Sequence, residues 1–284
     1  MRAVAQPALR SPGGPAATVG LLRVDARLRE AVPVDERPFA ERVLVVPYRE
    51  LPDGPWDPEA LVTDSARPFA AVVLRGLITQ DVTLAGRCSA DLLGPGDVFR
   101  PWRSGETSLP WEVTWMASGG LAIAVLDERF LAAARRWPDL SAVLYDRLAE
   151  RLDVARARAA LVGLPRVEQR FLALFWQLAD RWGVVRPHGV DVELALTHEL
   201  IGHLVGAQRP TVSLALQALA AMGLVHRDRR GVWTLEHASN TALAAKASEL
   251  LPAACPPRPP AAPAMDGGAP LHGAADAGRR AEPS

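Results

Sequence analysis

The sequence predicts an α+β chain: an antiparallel β-rich half, one long helix, and a C-terminal unit of helices completed by a small β-wing. Three observations carry this. Between Leu21 and Asp127, short apolar runs alternate with turn signals at the spacing of an antiparallel sandwich or barrel. From Glu128 to Val162 the apolar period changes to three or four residues, the period of a helix. Beyond Gly163, two short helical patterns flank a tight glycine-containing turn and lead into a strand-turn-strand pattern.

With 284 residues, 49% of them hydrophobic, the chain is long enough for a substantial core and about two domains. Lys+Arg and Asp+Glu are equal at 32 each, so no global basic field exists and any nucleic-acid binding depends on a local patch. Two cysteines, Cys88 and Cys255, cannot supply the four ligands of an iron-sulfur cluster or a structural zinc site, and they form no disulfide framework; a reducing cytoplasm is expected. No apolar run approaches the ~20 residues of a membrane span, so no membrane partner is expected. Residues 1–20 and 252–284 are rich in Pro, Gly and Ala without periodicity and read as disordered tails.

Within residues 21–127 the strand-like runs are Val43-Leu-Val-Val46, Ala70-Ala-Val-Val-Leu74 and Leu121-Ala-Ile-Ala-Val-Leu126. The turn signals are Arg75-Gly76, Ala85-Gly86 and Gly94-Pro95-Gly96-Asp97. The segment 128–163 is expected as a single helix with a seam of Leu140, Leu144, Leu148, Leu152, Ala155, Ala159 and Val162. That seam needs cover, either from the adjacent sheet or from the same helix of a second chain.

Residues 164–251 form the C-terminal unit. Val167, Phe171, Leu174, Leu178 and Trp182 share a helix face that ends at Gly183, and a hairpin follows around Pro187-His-Gly189. Thr197 is placed to cap the next helix, which Gly206 ends; a second begins at Arg209-Pro210, proline fitting its first turn, and buries Val212, Leu216, Leu219 and Met222. Leu224-Val-His226, the charged tip Arg227-Asp-Arg-Arg-Gly231 and Val232-Trp-Thr-Leu235 make a wing.

Leu196-Thr-His-Glu-Leu-Ile-Gly-His-Leu-Val-Gly206, Arg209-Pro-Thr-Val-Ser213 and Leu219-Ala-Ala-Met-Gly-Leu-Val225 resemble the Crp/Fnr superfamily, and the similarity in domain order spans about Leu21 to Leu235. The resemblance implies an N-terminal cyclic-nucleotide-binding-like jelly roll, a long dimerisation helix and a C-terminal winged helix-turn-helix. It further implies a homodimer regulating transcription on pseudo-palindromic double-stranded DNA, with RNA polymerase as a further partner if the protein is an activator. The DNA-facing residues are then Thr197, Gln208, Arg209, Thr211, Ser213, Leu214 and Gln217, with Arg227, Arg229 and Arg230 in the wing. Arg209 matches the family's base-reading arginine, whereas Pro210 and Leu214 stand where well-studied members carry a glutamate and a second arginine. The operator should therefore differ from theirs.

Leu92-Leu-Gly-Pro-Gly-Asp-Val-Phe99 is similar to the approach to the family's phosphate-binding cassette, but Arg100-Pro101 replaces the Gly-Glu of cyclic-nucleotide binders. No arginine follows in Leu109-Pro-Trp-Glu112, and Arg103-Ser104 comes too early for the phosphate-binding pair, which argues against cyclic AMP. A small-molecule effector would lie among Gly96, Asp97, Val98, Phe99, Arg100, Trp102, Arg103 and Trp111; Trp102, Trp111 and Trp115 either line that pocket or fill the core. Cys88 is either a redox sensor or haem ligand, or inert packing. No cofactor, metal site or catalytic residue is identified. His198-Glu199 with His203 is similar in outline to a zinc-protease signature, but a spacing of five residues turns the two imidazoles about 140° apart on a helix. The remaining alternative is a sensor or scaffold whose winged helix binds protein.

Overall fold

The computed structural model describes residues 17–61, 68–102, 108 and 111–237. Arg103 and most of both predicted tails lie outside them.

The described residues open with β1 (Thr18–Gly20), inside the segment expected as a tail, and three short helices, α1 (Leu21–Val24), α2 (Ala26–Glu30) and α3 (Arg37–Val43). Residues 21–43 were expected to belong to the β-rich region; local chemistry favours helix instead. The Asp25 carboxylate caps α2 by accepting the Leu28 N–H at 3.0 Å, and Leu21, Leu22, Leu28 and Ala40 bury one side of the group.

The sheet follows: β2 (Val45–Leu51), β3 (Gly54–Pro55), β4 (Ala70–Leu84), β5 (Arg87–Leu93), β6 (Val98–Phe99) and β7 (Trp111–Leu126). All pairings are antiparallel, in the order β1-β2-β7-β4-β5, with β3 on β7 and β6 on β4. Arg75-Gly76, expected as a turn, lies inside the continuous β4, where the register with β7 shifts around Arg75. Gly76 has φ +76°, and a Cβ there would stand 2.7 Å from the Leu121 Cα, so the glycine makes a bulge that bends two long strands together. Ala85 and Gly86 both have positive φ, as a two-residue hairpin turn between β4 and β5 requires. Alternation then separates two apolar layers. Ala70, Val72, Ala124 and Leu126 face the N-terminal helices; Ala71, Val73, Ile123 and Val125 face the roll interior with Ile78, Leu93, Phe99 and Trp102.

The expected single helix is two, α4 (Glu128–Ala134) and α5 (Pro138–Val162). Asp127 caps α4 through the Arg129 and Phe130 N–H groups, both at 3.0 Å. The break falls at Trp137, held out of the helical conformation because it precedes Pro138, which has no N–H and sits in the first turn of α5. The C-terminal elements are α6 (Val167–Trp182), β8 (Gly183–Arg186), β9 (Gly189–Val192), α7 (His198–Val205), α8 (Arg209–Ala221), β10 (Val225–Arg227) and β11 (Trp233–Glu236). Their four strands pair antiparallel in the order β10-β11-β9-β8.

Arginines along α5 fix how this helix sits. Arg147, buried, makes two 2.7 Å hydrogen bonds to the equally buried Asp25, and Arg151 and Arg158 bind the two oxygens of Asp91 on β5 at 2.7 and 3.0 Å. Burial lowers the pKa of the Arg158 guanidinium, opposed by the Asp91 charge. Leu140 and Leu144 are buried inside the chain, whereas Leu148, Leu152, Ala155, Ala159 and Val162 of the expected seam are exposed.

Removing one member of a buried bidentate pair leaves an uncompensated charge, so Asp25→Ala should lower stability by ~3–5 kcal/mol. Asp25→Leu together with Arg147→Met should recover most of that loss. Denaturant titration of the three proteins reads the difference.

Candidate nucleic-acid interface

The C-terminal unit is built on one apolar core of Phe171, Leu174, Phe175 and Leu178 from α6, with Val192, Ile201, Leu204, Val205, Val212, Ala215, Leu219, Val225, Trp233 and Leu235. Thr197 Oγ1 accepts the Leu200 N–H at 3.1 Å and caps α7; Gly206 ends it with φ +67°. The turn into α8 is closed by the Ala207 N–H donating to the Gly202 carbonyl at 2.9 Å. A Cβ at Gly202 would stand 2.6 Å from the Ala207 oxygen, so the tightness of this turn depends on glycine there as well. Gln208 precedes α8 without a side-chain cap, and Pro210 occupies its first turn.

Val212, Ala215 and Leu219 form the buried face of α8. Gln208, Arg209, Thr211, Leu214 and Gln217 lie on the exposed side, with Leu214 68% exposed. Ser213 is placed differently: it is half-buried, its hydroxyl donates to the Arg209 carbonyl at 3.3 Å, and it lies 3.1 Å from His198 Nδ1. Met222, expected in the core, is exposed because α8 ends at Ala221.

The wing turn between β10 and β11 is organised by Asp228, whose carboxylate accepts the N–H groups of Val232 at 2.9 Å and Arg230 at 2.8 Å. The Val232 N–H does most to hold the Asp228 carboxyl below the usual carboxylate range, with Arg230 adding to it. The Arg227 guanidinium lies 5.0 Å over the Trp233 ring, which itself packs 4.9 Å from Phe175. Arg229 and Arg230 are exposed at the tip, Arg230 alongside Asp228. The wing is therefore pinned to the core while its tip stays in solvent. Sequence reasoning missed Arg186, His188 and His226, which join Arg227 and Arg230 around a concavity of about 760 Å3 beside the wing. Asp191 lies 3.4 Å from the Arg186 guanidinium and 3.5 Å from His188 Nε2.

The residues expected around an effector are divided between two places. Asp97 is buried and engages Arg181 of α6 through both carboxylate oxygens, while also accepting the Gly94 N–H at 2.7 Å. Gly94 has Trp182 directly against it: a Cβ would stand 2.5 Å from the indole. Gly96 and Asp97 thus face the end of α6, and Val98 is buried toward the N-terminal helices. Phe99 lies in the roll interior, 6.1 Å from Trp115. Arg100, Trp102, Trp111 and Trp115 line a separate groove of about 940 Å3, joined by Trp56. Nothing around Trp56 in the sequence marked it for that position. Its buried indole N–H has no acceptor among the described residues.

Residues 169–238 match the family model of the Crp-like helix-turn-helix domain. That C-terminal segment is a Crp-like helix-turn-helix domain. The fold is shared with a cyclic nucleotide-binding domain containing protein from Listeria monocytogenes EGD-e, at 14% identity and TM-score 0.55 over 76% of this chain and 98% of that one. A CooA mutant from Carboxydothermus hydrogenoformans is 18% identical, TM-score 0.54, over 71% and 87% of the two chains. FixK2 from Bradyrhizobium japonicum is 19% identical, TM-score 0.52, over 70% and 96%. No curated protein sequence matches this chain.

The close contact at the helix turn gives a direct test. Gly202→Ala should cost ~1–3 kcal/mol through the clash with the Ala207 carbonyl, and Thr197→Ala about 1 kcal/mol through loss of the cap. Met222→Ala should be nearly silent, as measured by chemical denaturation.

Proposed function

We propose that this protein is a homodimeric transcription regulator of the Crp/Fnr type that binds double-stranded DNA in a sequence-specific way. In this reading α8 enters the major groove by its N-terminal turns and the wing tip holds phosphates. The observation that carries it is the two-sidedness of α8: Val212, Ala215 and Leu219 are locked into the core, and Gln208, Arg209, Thr211, Leu214 and Gln217 are left to solvent. Arg209, in the first turn, has the reach and the five-donor fork for a guanine O6 and N7. Leu214 offers only apolar surface and suits a thymine methyl. Ser213 and Thr197, whose hydroxyls are engaged within the domain, act by setting the geometry of α7 and α8.

A second chain is the proposed cover for α5. Tyr145, Leu148, Leu152, Ala155, Ala159 and Val162 are all exposed and recur at alternating steps of three and four, the a/d spacing of a coiled-coil seam. The proposed effector site is the tryptophan groove. Its ligand is a compact molecule with apolar faces that pack on the tryptophan rings. The Arg100-Pro101 replacement disfavours a cyclic nucleotide there. Exposed Leu214 also fits a protein-binding winged helix; that alternative predicts binding with little salt dependence.

Arg209→Ala should cost ~1–3 kcal/mol on the preferred site and little on random DNA, whereas Arg229→Ala and Arg230→Ala should weaken all duplexes alike. Equal losses on both DNAs for Arg209→Ala would remove it from base reading. Leu148→Arg combined with Leu152→Arg should give a monomer by sedimentation, with the folded far-ultraviolet spectrum retained. A dimer surviving both charges would place the interface elsewhere.

A further inference from the structure

Where α7 meets the β4–β5 hairpin, three side chains from distant parts of the chain converge. Asp81 is on β4 and Cys88 on β5, one register step apart on the same face, since Thr83 is the partner of Cys88 and Ala90 that of Asp81. His203 comes from the last turn of α7. His203 Nδ1 lies 3.0 Å from Asp81 Oδ1 and 3.5 Å from Cys88 Sγ, and the Cys88 sulfur lies 3.6 Å from the same Asp81 oxygen.

These separations match one face of a metal tetrahedron. Bonds of about 2.0 Å to nitrogen and oxygen and about 2.3 Å to sulfur, at tetrahedral angles, put neighbouring ligand atoms about 3.3–3.6 Å apart. Two of the three edges already have that length, and the third needs an opening of a few tenths of an ångström. The donors are chemically coherent. A thiolate, a carboxylate and a neutral imidazole carry two negative charges, which a divalent cation cancels, and the thiolate and imidazole select a borderline d-block ion over magnesium or calcium. All three side chains are half-buried, which leaves the fourth vertex open to water. Glu199, one helical turn before His203, is near enough to act electrostatically on Cys88 and adds negative potential.

We propose that Asp81, Cys88 and His203 bind one divalent transition-metal ion of the zinc class, which ties the first helix of the helix-turn-helix to the β-roll. Because α8 packs against α7, occupancy of this site restrains the orientation of α8 relative to the sensor hairpin. Loading changes no oxidation state: the Cys88 thiol proton and any proton on His203 Nδ1 go to solvent, and water leaves the hydrated ion, as the metal–ligand bonds form.

The test uses the full chain, stripped with a chelator under reducing conditions and titrated with Co2+ alone. Saturation at one Co2+ per chain is expected, with the visible bands of a four-coordinate ion and a thiolate-to-cobalt charge-transfer band, both displaced by Zn2+. Cys88→Ser should abolish the charge-transfer band, and His203→Gln and Asp81→Asn should each weaken binding about tenfold or more. Cys255→Ser should leave the band intact. X-ray absorption of the wild-type cobalt protein, which needs no variant to fold, should show one sulfur and otherwise nitrogen or oxygen neighbours. Absence of the band, its persistence in Cys88→Ser, its loss in Cys255→Ser, or a sulfur-free first shell would each overturn the proposal. None of these readouts involves DNA, so they stand apart from the DNA-reading proposal.

Discussion

The pairing of buried arginines with aspartates along α5 is the constraint from which the rest of the molecule follows. A guanidinium taken out of water is tolerated only with a carboxylate held in matching geometry. Arg147 has Asp25, and Arg151 and Arg158 share Asp91. These pairs fix the rotation of α5 about its own axis. They press the N-terminal helices onto its first half and β5 onto its second, and they leave the opposite stripe from Tyr145 to Val162 facing out. The exposed seam is therefore a consequence of where the charges are satisfied.

The same economy of partners links the roll to the C-terminal unit. Ala90 and Leu92 of β5 belong to the apolar core that also holds Phe171 and Val212, and Asp97 is engaged by Arg181 where α6 ends. A loop placed by resemblance near a ligand phosphate thus has its only acidic side chain committed to the C-terminal unit. Movement in the roll near Gly94–Asp97 is felt directly by Trp182 and Arg181, and through α6 by the core on which α8 rests. This is a mechanical route by which occupancy of the proposed tryptophan groove, three residues further along the chain at Arg100, would reach the helix-turn-helix.

Legibility in the sequence followed the range of the interactions. The α7–α8 turn was readable because its determinants are local: a capping Thr197, Gly206 at positive φ, and Pro210 in a first turn. The long strands were only partly readable, because a glycine bulge at Gly76 and a true turn at Ala85-Gly86 carry the same residue signal and differ only in what the partner strand does. Pro138, which starts the second helix, precedes every residue of the expected seam, so the apolar period from Leu140 onward carried no information about the break. The helices of residues 21–43 rest on Asp25 serving two roles, cap and ion-pair partner, and the second role comes from a residue 122 positions away. His203 could be weighed only against nearby His198; its partners Asp81 and Cys88 are 122 and 115 positions distant.

The central claim is that a paired helix-turn-helix reads symmetric DNA, and selection from a pool of random duplexes by the purified full-length protein addresses it most directly. The account predicts enrichment of an inverted repeat whose half-site centres lie ~34 Å apart, bound progressively more weakly as salt concentration rises. Binding without enrichment of any repeat, or affinity indifferent to salt, would contradict it.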